Sequence, residues 1–221
     1  MKTIAIIPAR GNSKRLPHKN IKLLGGIPLL VHSINFAKQH EFIDAVYVST
    51  DDKQIKDIAI DHGAFVIDRP EHLAGDFEPT VTAIKHVLES IESAIENVIL
   101  LQPTNPLRPK DLLRIAFQQF NDRNCDSLFT VSRNYHKFGK IKNDEFLPYN
   151  YNVGQRSQDL EPLFFENGLL YITKSKHIFE NIIITKNAYP LIVNHPFASI
   201  DIDTQIDFDM AEFMLQKYKN E

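Results

Sequence analysis

The chain has 221 residues, a formal net charge of −3 and one cysteine, Cys125. That length suits one α/β domain whose core needs no disulfide staple, and a lone cysteine allows neither an intrachain bridge nor a paired-thiol metal site. The mildly acidic balance argues against a general nucleic-acid binder, and no apolar run approaches the ~20 residues of a membrane helix.

In chain order, residues 3–8 form a short β-branched apolar run closed by Pro8 and Gly11, the pattern of a strand buried on both faces. Residues 28–38 carry Leu30, Ile34 and Ala37 at helical spacing behind a proline. A strand is expected at 45–49, a helix at 52–62 with Gly63 as C-cap, and a short strand at 64–67. Residues 80–93 are amphipathic, with Ile84, Val87, Leu88 and Ile91 on one face. A strand at 97–101, a helix at 109–120 and a strand at 127–131 follow, and Cys125 reads as a half-buried thiol at that strand's start. The alternation predicts an α/β fold, a three-layer αβα sandwich with a mostly parallel sheet. Between residues 134 and 162 it breaks into a Tyr-, Asn-, Lys- and Gly-rich excursion. Long irregular segments of that kind are usually functional or interfacial. Strands are expected again at 169–173 and 191–194. Thr204 then opens a last helix, with Asp207 placed for a capping box in which Asp replaces Glu. Its apolar face is expected to be Ile206, Met210, Phe213 and Met214. The first residues, MKTIAIIPAR, lack the length and cleavage site of a signal peptide, so a cytoplasmic protein is expected.

Four segments carry chemistry. The loop 8–20 follows the first strand, where open α/β sheets bind ligands. It holds Arg10, Lys14, Arg15 and Lys19, with Gly11 permitting close backbone approach. Arginine grips phosphate with two hydrogen bonds and lysine acts as a point charge. A solvated basic turn is the competing reading. Neither G-x-x-x-x-G-K-[ST] nor G-x-G-x-x-G occurs in that turn, which excludes an ordinary P-loop or dinucleotide site by motif. In SIDIDT (199–204), an extended backbone places Asp201 and Asp203 on one face. Magnesium suits such a pair, being held by one or two carboxylates plus phosphate oxygens; a simple helix cap by Asp203 is the alternative. LLQPTNPLR (100–108) runs from a strand into a proline-fixed loop, with Gln102 placed to read a base or sugar. In 156–171, Arg156 suits a substrate carboxylate, Asn167 a polar sugar group and Tyr171 an aromatic wall. The nine histidines form no H-x-x-x-H pair, and Ser13 and Ser49 lie in no nucleophile elbow.

The segments IPARGNSKRLPHKN (7–20), VSTDD (48–52), RPEHLAGD (69–76), LLQPTNPLR (100–108), RSQDL (156–160), ENGLLYI (166–172) and SIDIDTQID (199–207) resemble, in order, the acylneuraminate cytidylyltransferases, or CMP-sialic acid synthetases. The resemblance implies a single domain, residues 1–221, of the nucleotide-diphospho-sugar transferase fold, using CTP and Mg2+. It implies a homodimer in which the excursion 134–162 packs on the partner and helps complete its sugar site. It places Arg10, Asn12, Ser13, Lys14, Lys19, Asn20, Arg69 and Thr80 on the nucleotide. Gln102, Arg156, Asn167 and Tyr171 fall on the sugar, and Asp201 and Asp203 on the metal. Arg10, Lys14, Asp201 and Asp203 are the expected catalytic set. Two positions depart from the family pattern. Phe164-Phe165-Glu166 stands where the family often has Tyr-Arg-x before the Asn-Gly pair, so that basic residue is missing and Lys137 or Lys140 is left as a substitute. Arg15 adds a charge to the loop. The implied reaction transfers CMP from CTP to the anomeric hydroxyl of a nine-carbon 2-keto-3-deoxy sugar acid. The alternatives are the eight-carbon 3-deoxy-manno-octulosonate as acceptor, or a non-catalytic nucleotide-binding protein on the same scaffold.

Overall fold

The computed structural model describes residues 2–218. Thr3–Pro8 (β1) leads to a small hairpin, Leu23–Leu24 (β2) with Ile27–Pro28 (β3), and to helix Leu29–Lys38 (α1). Ala45–Thr50 (β4), Lys53–Asp61 (α2), Phe65–Asp68 (β5), Thr80–Ser90 (α3), Asn97–Leu100 (β6), Leu112–Asp122 (α4) and Ser127–Arg133 (β7) continue the expected alternation. A second hairpin, Gly139–Lys142 (β8) with Glu145–Pro148 (β9), lies inside the excursion. Phe164–Lys174 (β10), Ser175–Phe179 (α5), Ala188–Ile192 (β11) and Gln205–Lys217 (α6) follow.

The central sheet has the order β11-β7-β10-β6-β1-β4-β5. β1 pairs in parallel with β4 and β6, β4 with β5, and β7 with β11. Only β10, among the described strands of this sheet, runs against its neighbours, β6 and β7. Side chains alternate along β1. Ala5 and Ile7 pack with Leu30 and Ile34 of α1, Ile55 of α2 and Leu113 of α4. Ile4 and Ile6 pack on the opposite face with Ile84 and Val87 of α3 and Ile178 of α5. Those two clusters are the three-layer sandwich that the sequence predicts. The chain winds from β1 to β4 on one side and later returns to β6 on the other. Such a reversal opens a crevice at the carboxyl ends of β1 and β6, where ligands bind in open α/β sheets.

Several features differ from expectation; α5 was not expected, and β11 starts at Ala188 rather than 191. The β2–β3 hairpin is too short to show a period; it turns on Gly25 and Gly26, both at positive φ. The β8–β9 hairpin turns on Asn143 and Asp144, at φ 51° and 62°, the paired left-handed residues of a type I′ turn. β10 begins at Phe164 rather than 169, because a bulge between Glu166 and Tyr171 breaks its alternation. Cys125 is buried rather than half-buried. The last helix has the capping box, with Thr204 and Asp207 bonding reciprocally, but a different face is buried. Phe208 and Ala211 join a third cluster with Leu24, Leu29, Phe197 and Ile202, and Met214 and Leu215 pack against it. Ile206, Met210 and Phe213 are 78%, 51% and 56% exposed. The helix carries two apolar stripes at helical spacing, and the position of the β2–β3 hairpin selects the one that docks.

Candidate active site

A cavity of about 540 Å³ lies in the crevice. Arg10, Ser13, Lys14, Arg15, Lys19 and Asn20 form one wall, Arg69, Asp76 and Thr80 another, and Gln102, Thr104 and Asp203 the rest. Backbone and buried side chains hold the first loop in place. Gly11 N donates to Asp51 Oδ1 at 2.9 Å, and a Cβ at Gly11 would stand 2.7 Å from the Cβ of Asp52, so only glycine fits. Asn20 Nδ2 donates to the Arg10 carbonyl at 2.9 Å. Arg69 is buried and spans Ser49, with Nε to Oγ at 3.0 Å and Nη2 to the carbonyl at 2.6 Å. Burial draws its pKa down, and Asp51 opposes that. The N-terminus of α3, at Thr80, adds its dipole to this positive field.

The Asp201–Asp203 segment is bound to both loops. Ile202 N donates to the Thr104 carbonyl at 2.8 Å. Lys19 Nζ donates to the Ile202 carbonyl at 2.7 Å and to Asp203 Oδ1 at 2.9 Å. Arg15 Nη2 reaches Asp203 Oδ2 at 2.5 Å. Asp201 keeps solvent access, yet the protein packed around its carboxyl pushes its pKa up; Thr104 draws it down and the charge of Asp203 raises it again. Among the described residues no group of three or more His, Cys, Asp or Glu side chains gathers to hold a metal. The donor set still fits magnesium. Two hard carboxylates repel each other beside a polyphosphate-sized basic cavity, and magnesium takes few protein ligands, completing its shell with phosphate and water.

A second cavity, of about 380 Å³, shares Pro79, Thr80 and Gln102 with the first and adds Leu100, Glu166, Tyr171, Asn181, Ile183 and Ile184. The Tyr171 hydroxyl donates to Glu166 Oε1 at 3.0 Å, and burial, with the Glu166 charge, pushes that phenol well above its ordinary pKa. Behind the wall lies a polar network. Arg108 is buried and donates to the carbonyls of Leu169 (2.7 Å) and Gln102 (2.9 Å) and to Ser33 Oγ (3.0 Å). Burial alone brings its pKa to about 9, so it is a cation at neutral pH. Asn105 Nδ2 donates to the carbonyls of Ile200 and Asn167. Its Oδ1 would lie 2.6 Å from a Cβ at Gly168, which sits at φ +75°.

The structure therefore brings Arg10, Ser13, Lys14, Lys19, Asn20, Arg69, Thr80, Gln102 and Asp203 together on one cavity, with Tyr171 on the adjoining one. Four expected residues lie elsewhere. Asp201 is exposed, two positions before Asp203, and is on the lining of neither cavity. Asn12 is exposed beside the first cavity and not on its lining. Asn167 is buried and spent internally, its Oδ1 accepting from Thr130 Oγ1 at 2.6 Å and its Nδ2 donating to Ser132 Oγ at 3.0 Å. Arg156 is exposed and paired with Asp159 at 2.7 Å, away from both cavities of its own chain. Of the substitute cations, Lys137 donates to the Gln155 carbonyl and Lys140 lies over the Tyr149 ring. Asp76, the last residue of RPEHLAGD, and Thr104 also line the cavity, and no local pattern in the sequence marks either.

A family model described as cytidylyltransferase matches residues 4–219. The chain is 34% identical over 235 residues to the CMP-N,N'-diacetyllegionaminic acid synthase of Legionella pneumophila, covering 98% of this chain and 97% of that one. It is 30% identical over 225 residues to the pseudaminic acid cytidylyltransferase of Campylobacter jejuni, covering 97% and 96%. It is 31% identical over 216 residues to the N-acylneuraminate cytidylyltransferase of Streptococcus agalactiae, of whose length it spans about half, 52%. Among solved structures, CMP:2-keto-3-deoxy-manno-octonic acid synthetase complexed with CTP superposes with a TM-score of 0.72 at 16% identity, covering 98% of this chain and 99% of that one. The 4-diphosphocytidyl-2C-methyl-D-erythritol synthase of Anaerococcus prevotii superposes at 0.71 and 16% identity, covering 97% and 96%. At that identity these two likenesses establish the fold.

Proposed function

The chain belongs to the cytidylyltransferase family, and from that premise we propose that it transfers CMP from CTP to the anomeric hydroxyl of a nine-carbon 2-keto-3-deoxy sugar acid, releasing pyrophosphate. The observation that carries the reading is the pair of adjoining cavities, one basic and closed by Asp203, the other walled by Tyr171, with Thr80 and Gln102 common to both. The triphosphate suits the first and the sugar the second. Relatives that act on legionaminic, pseudaminic and acylneuraminic acids support the nine-carbon class.

The sugar hydroxyl attacks the α-phosphorus in line and pyrophosphate leaves. Arg10 and Lys14 neutralise charge that builds on the departing phosphates. Thr80 and Gln102 hold the two substrates in contact, which removes much of the entropic cost of meeting. Asp201 and Asp203 would hold magnesium, which when bound supplies charge neutralisation and Lewis acidity. Lys19 fixes the segment that carries both carboxylates, through the Ile202 carbonyl. No side chain is assigned as general base.

The excursion supports a homodimer, since Phe138, Ile141, Phe146, Tyr149 and Val153 all leave apolar surface in solvent. In such a dimer Arg156 serves the partner's sugar site rather than its own. Among the described residues no helix is long and apolar enough to cross a membrane.

The test is pyrophosphate release with CTP, magnesium and a panel of eight- and nine-carbon 2-keto-3-deoxy acids, against no-sugar and EDTA controls. Release is expected with one or more nine-carbon acids. Asp201→Ala is expected to fold and to lose at least about 100-fold in kcat. Release driven best by the eight-carbon acid would reassign the acceptor, and none with any acid while CTP binds would reassign the protein as a nucleotide binder.

A further inference from the structure

Asp76 reaches into the basic cavity from the loop that precedes α3. Each of its carboxylate oxygens is taken by a different cation of the β1 loop: Oδ1 by Arg10 Nη1 at 2.8 Å, and Oδ2 by Lys14 Nζ. Those are the two residues whose charges the triphosphate needs. The loop has little else to hold it there. Residues 75 to 80 are all exposed, and Phe77, next to Asp76, is 99% exposed. Gly75 and Glu78 close the turn with a backbone bond of 3.3 Å. Both ion pairs are solvent-accessible, with Lys14 73% and Arg10 33% exposed in the side chain. Exposed pairs of this kind are weak, whereas phosphate offers arginine two charge-assisted bonds and a larger charge.

We propose that Asp76 is a built-in counter-ion that occupies the phosphate contacts of Arg10 and Lys14 until a polyphosphate displaces it. It then sets how much negative charge a ligand must bring. CTP exceeds that threshold and a monophosphate nucleotide does not. When pyrophosphate has been cut from the nucleotide, Asp76 competes for the same cations and favours its release. The inference deepens the reading given above by identifying a residue that tunes this site, and it needs no knowledge of the sugar.

The experiment titrates inorganic pyrophosphate, CTP and CMP into the parent and into Asp76→Asn by calorimetry, with and without magnesium. Asp76→Asn keeps the shape and removes the charge. It is expected to bind pyrophosphate and CTP about three- to tenfold more tightly, the scale of one or two exposed ion pairs, and CMP by less than about twofold. The gain should shrink as salt rises. Asp68→Asn is the control. It removes one carboxylate from the same region, where Asp68 pairs with Lys56 at 2.7 Å outside this cavity, and is expected to change none of the three. Equal or weaker pyrophosphate binding by Asp76→Asn overturns the proposal, as does pyrophosphate binding to neither protein. Tighter pyrophosphate binding in a chain that turns over no sugar acid would instead leave Asp76 in this role and remove the transferase reading.

Discussion

Arg108 carries a positive charge into the interior and spends its donors on three segments, the loop after β6, β10 and α1. Removing it leaves the buried Leu169 carbonyl and the half-buried Gln102 carbonyl without their donor. Arg108→Met keeps much of the volume and none of the donors. We expect it to lower stability by about 2–4 kcal/mol, read from urea unfolding, the cost of unpaired buried polar groups, and to raise the KM for sugar, since Gln102 loses the anchor on its carbonyl. A loss confined to stability, with the sugar KM unchanged, would separate Arg108 from the site. In the sequence Arg108 is only the end of a proline-fixed loop. Its partners Leu169 and Ser33 lie 61 and 75 positions away, and no local pattern reports such pairing. Asn167 went astray for the same reason. A short amide beside a glycine looks alike whether it faces a ligand or its own fold, and here Thr130 and Ser132 take it. The charges of the β1 loop were legible because they follow a strand end directly, where the fold class itself predicts a ligand.

The β8–β9 hairpin has no core of its own. Every residue of β9 is exposed, as are Lys140 to Lys142 of β8, and a free two-stranded hairpin is marginal in water. An order imposed by the Asn143–Asp144 turn alone would leave Ile141, 79% exposed, and Val153, 86% exposed, facing solvent. In the dimer proposed above, burial against a second copy would remove that cost. Ile141→Glu with Val153→Glu is therefore expected to shift light-scattering mass from dimer to monomer and to leave the fold intact by circular dichroism. A doubly substituted chain that stays dimeric would move the interface elsewhere. The hairpin was only half legible in the sequence, because its strands are four residues long, too short to show a clear alternation. Helix α6 shows the opposite difficulty. Its cap could be read from Thr204 and Asp207, but two apolar stripes share the helix and only the fold chooses between Phe208–Ala211 and Ile206–Met210–Phe213.

At the scale of the molecule, an acidic chain gathers cations at one end of its sheet. Arg10, Lys14, Arg15, Lys19 and Arg69 share a cavity, while Arg108 lies behind it with no acid paired to it among the described residues. That positive interior reaches α1. His32 there is held neutral: burial lowers its pKa first, the Leu24 carbonyl opposes, and Arg108 lowers it further. A carbonyl only accepts, so Nε2 carries the proton that bonds Leu24 at 2.9 Å and joins α1 to the β2–β3 hairpin. His40 is lowered likewise by burial, then by Arg114. As pH falls below the ordinary histidine range of about 6.5, the unfolded chain takes up these protons before the folded chain does. Stability therefore falls with pH in that window and levels off once the folded pKa values are passed. His32→Gln can still donate to the Leu24 carbonyl and cannot titrate. Its Tm is expected to fall less than the parent's between pH 7 and 5.5, with His40 accounting for part of what remains. Parallel curves for the two proteins would mean that folding leaves the His32 pKa unshifted, so that neither its burial nor the nearby charge of Arg108 disfavours the protonated ring.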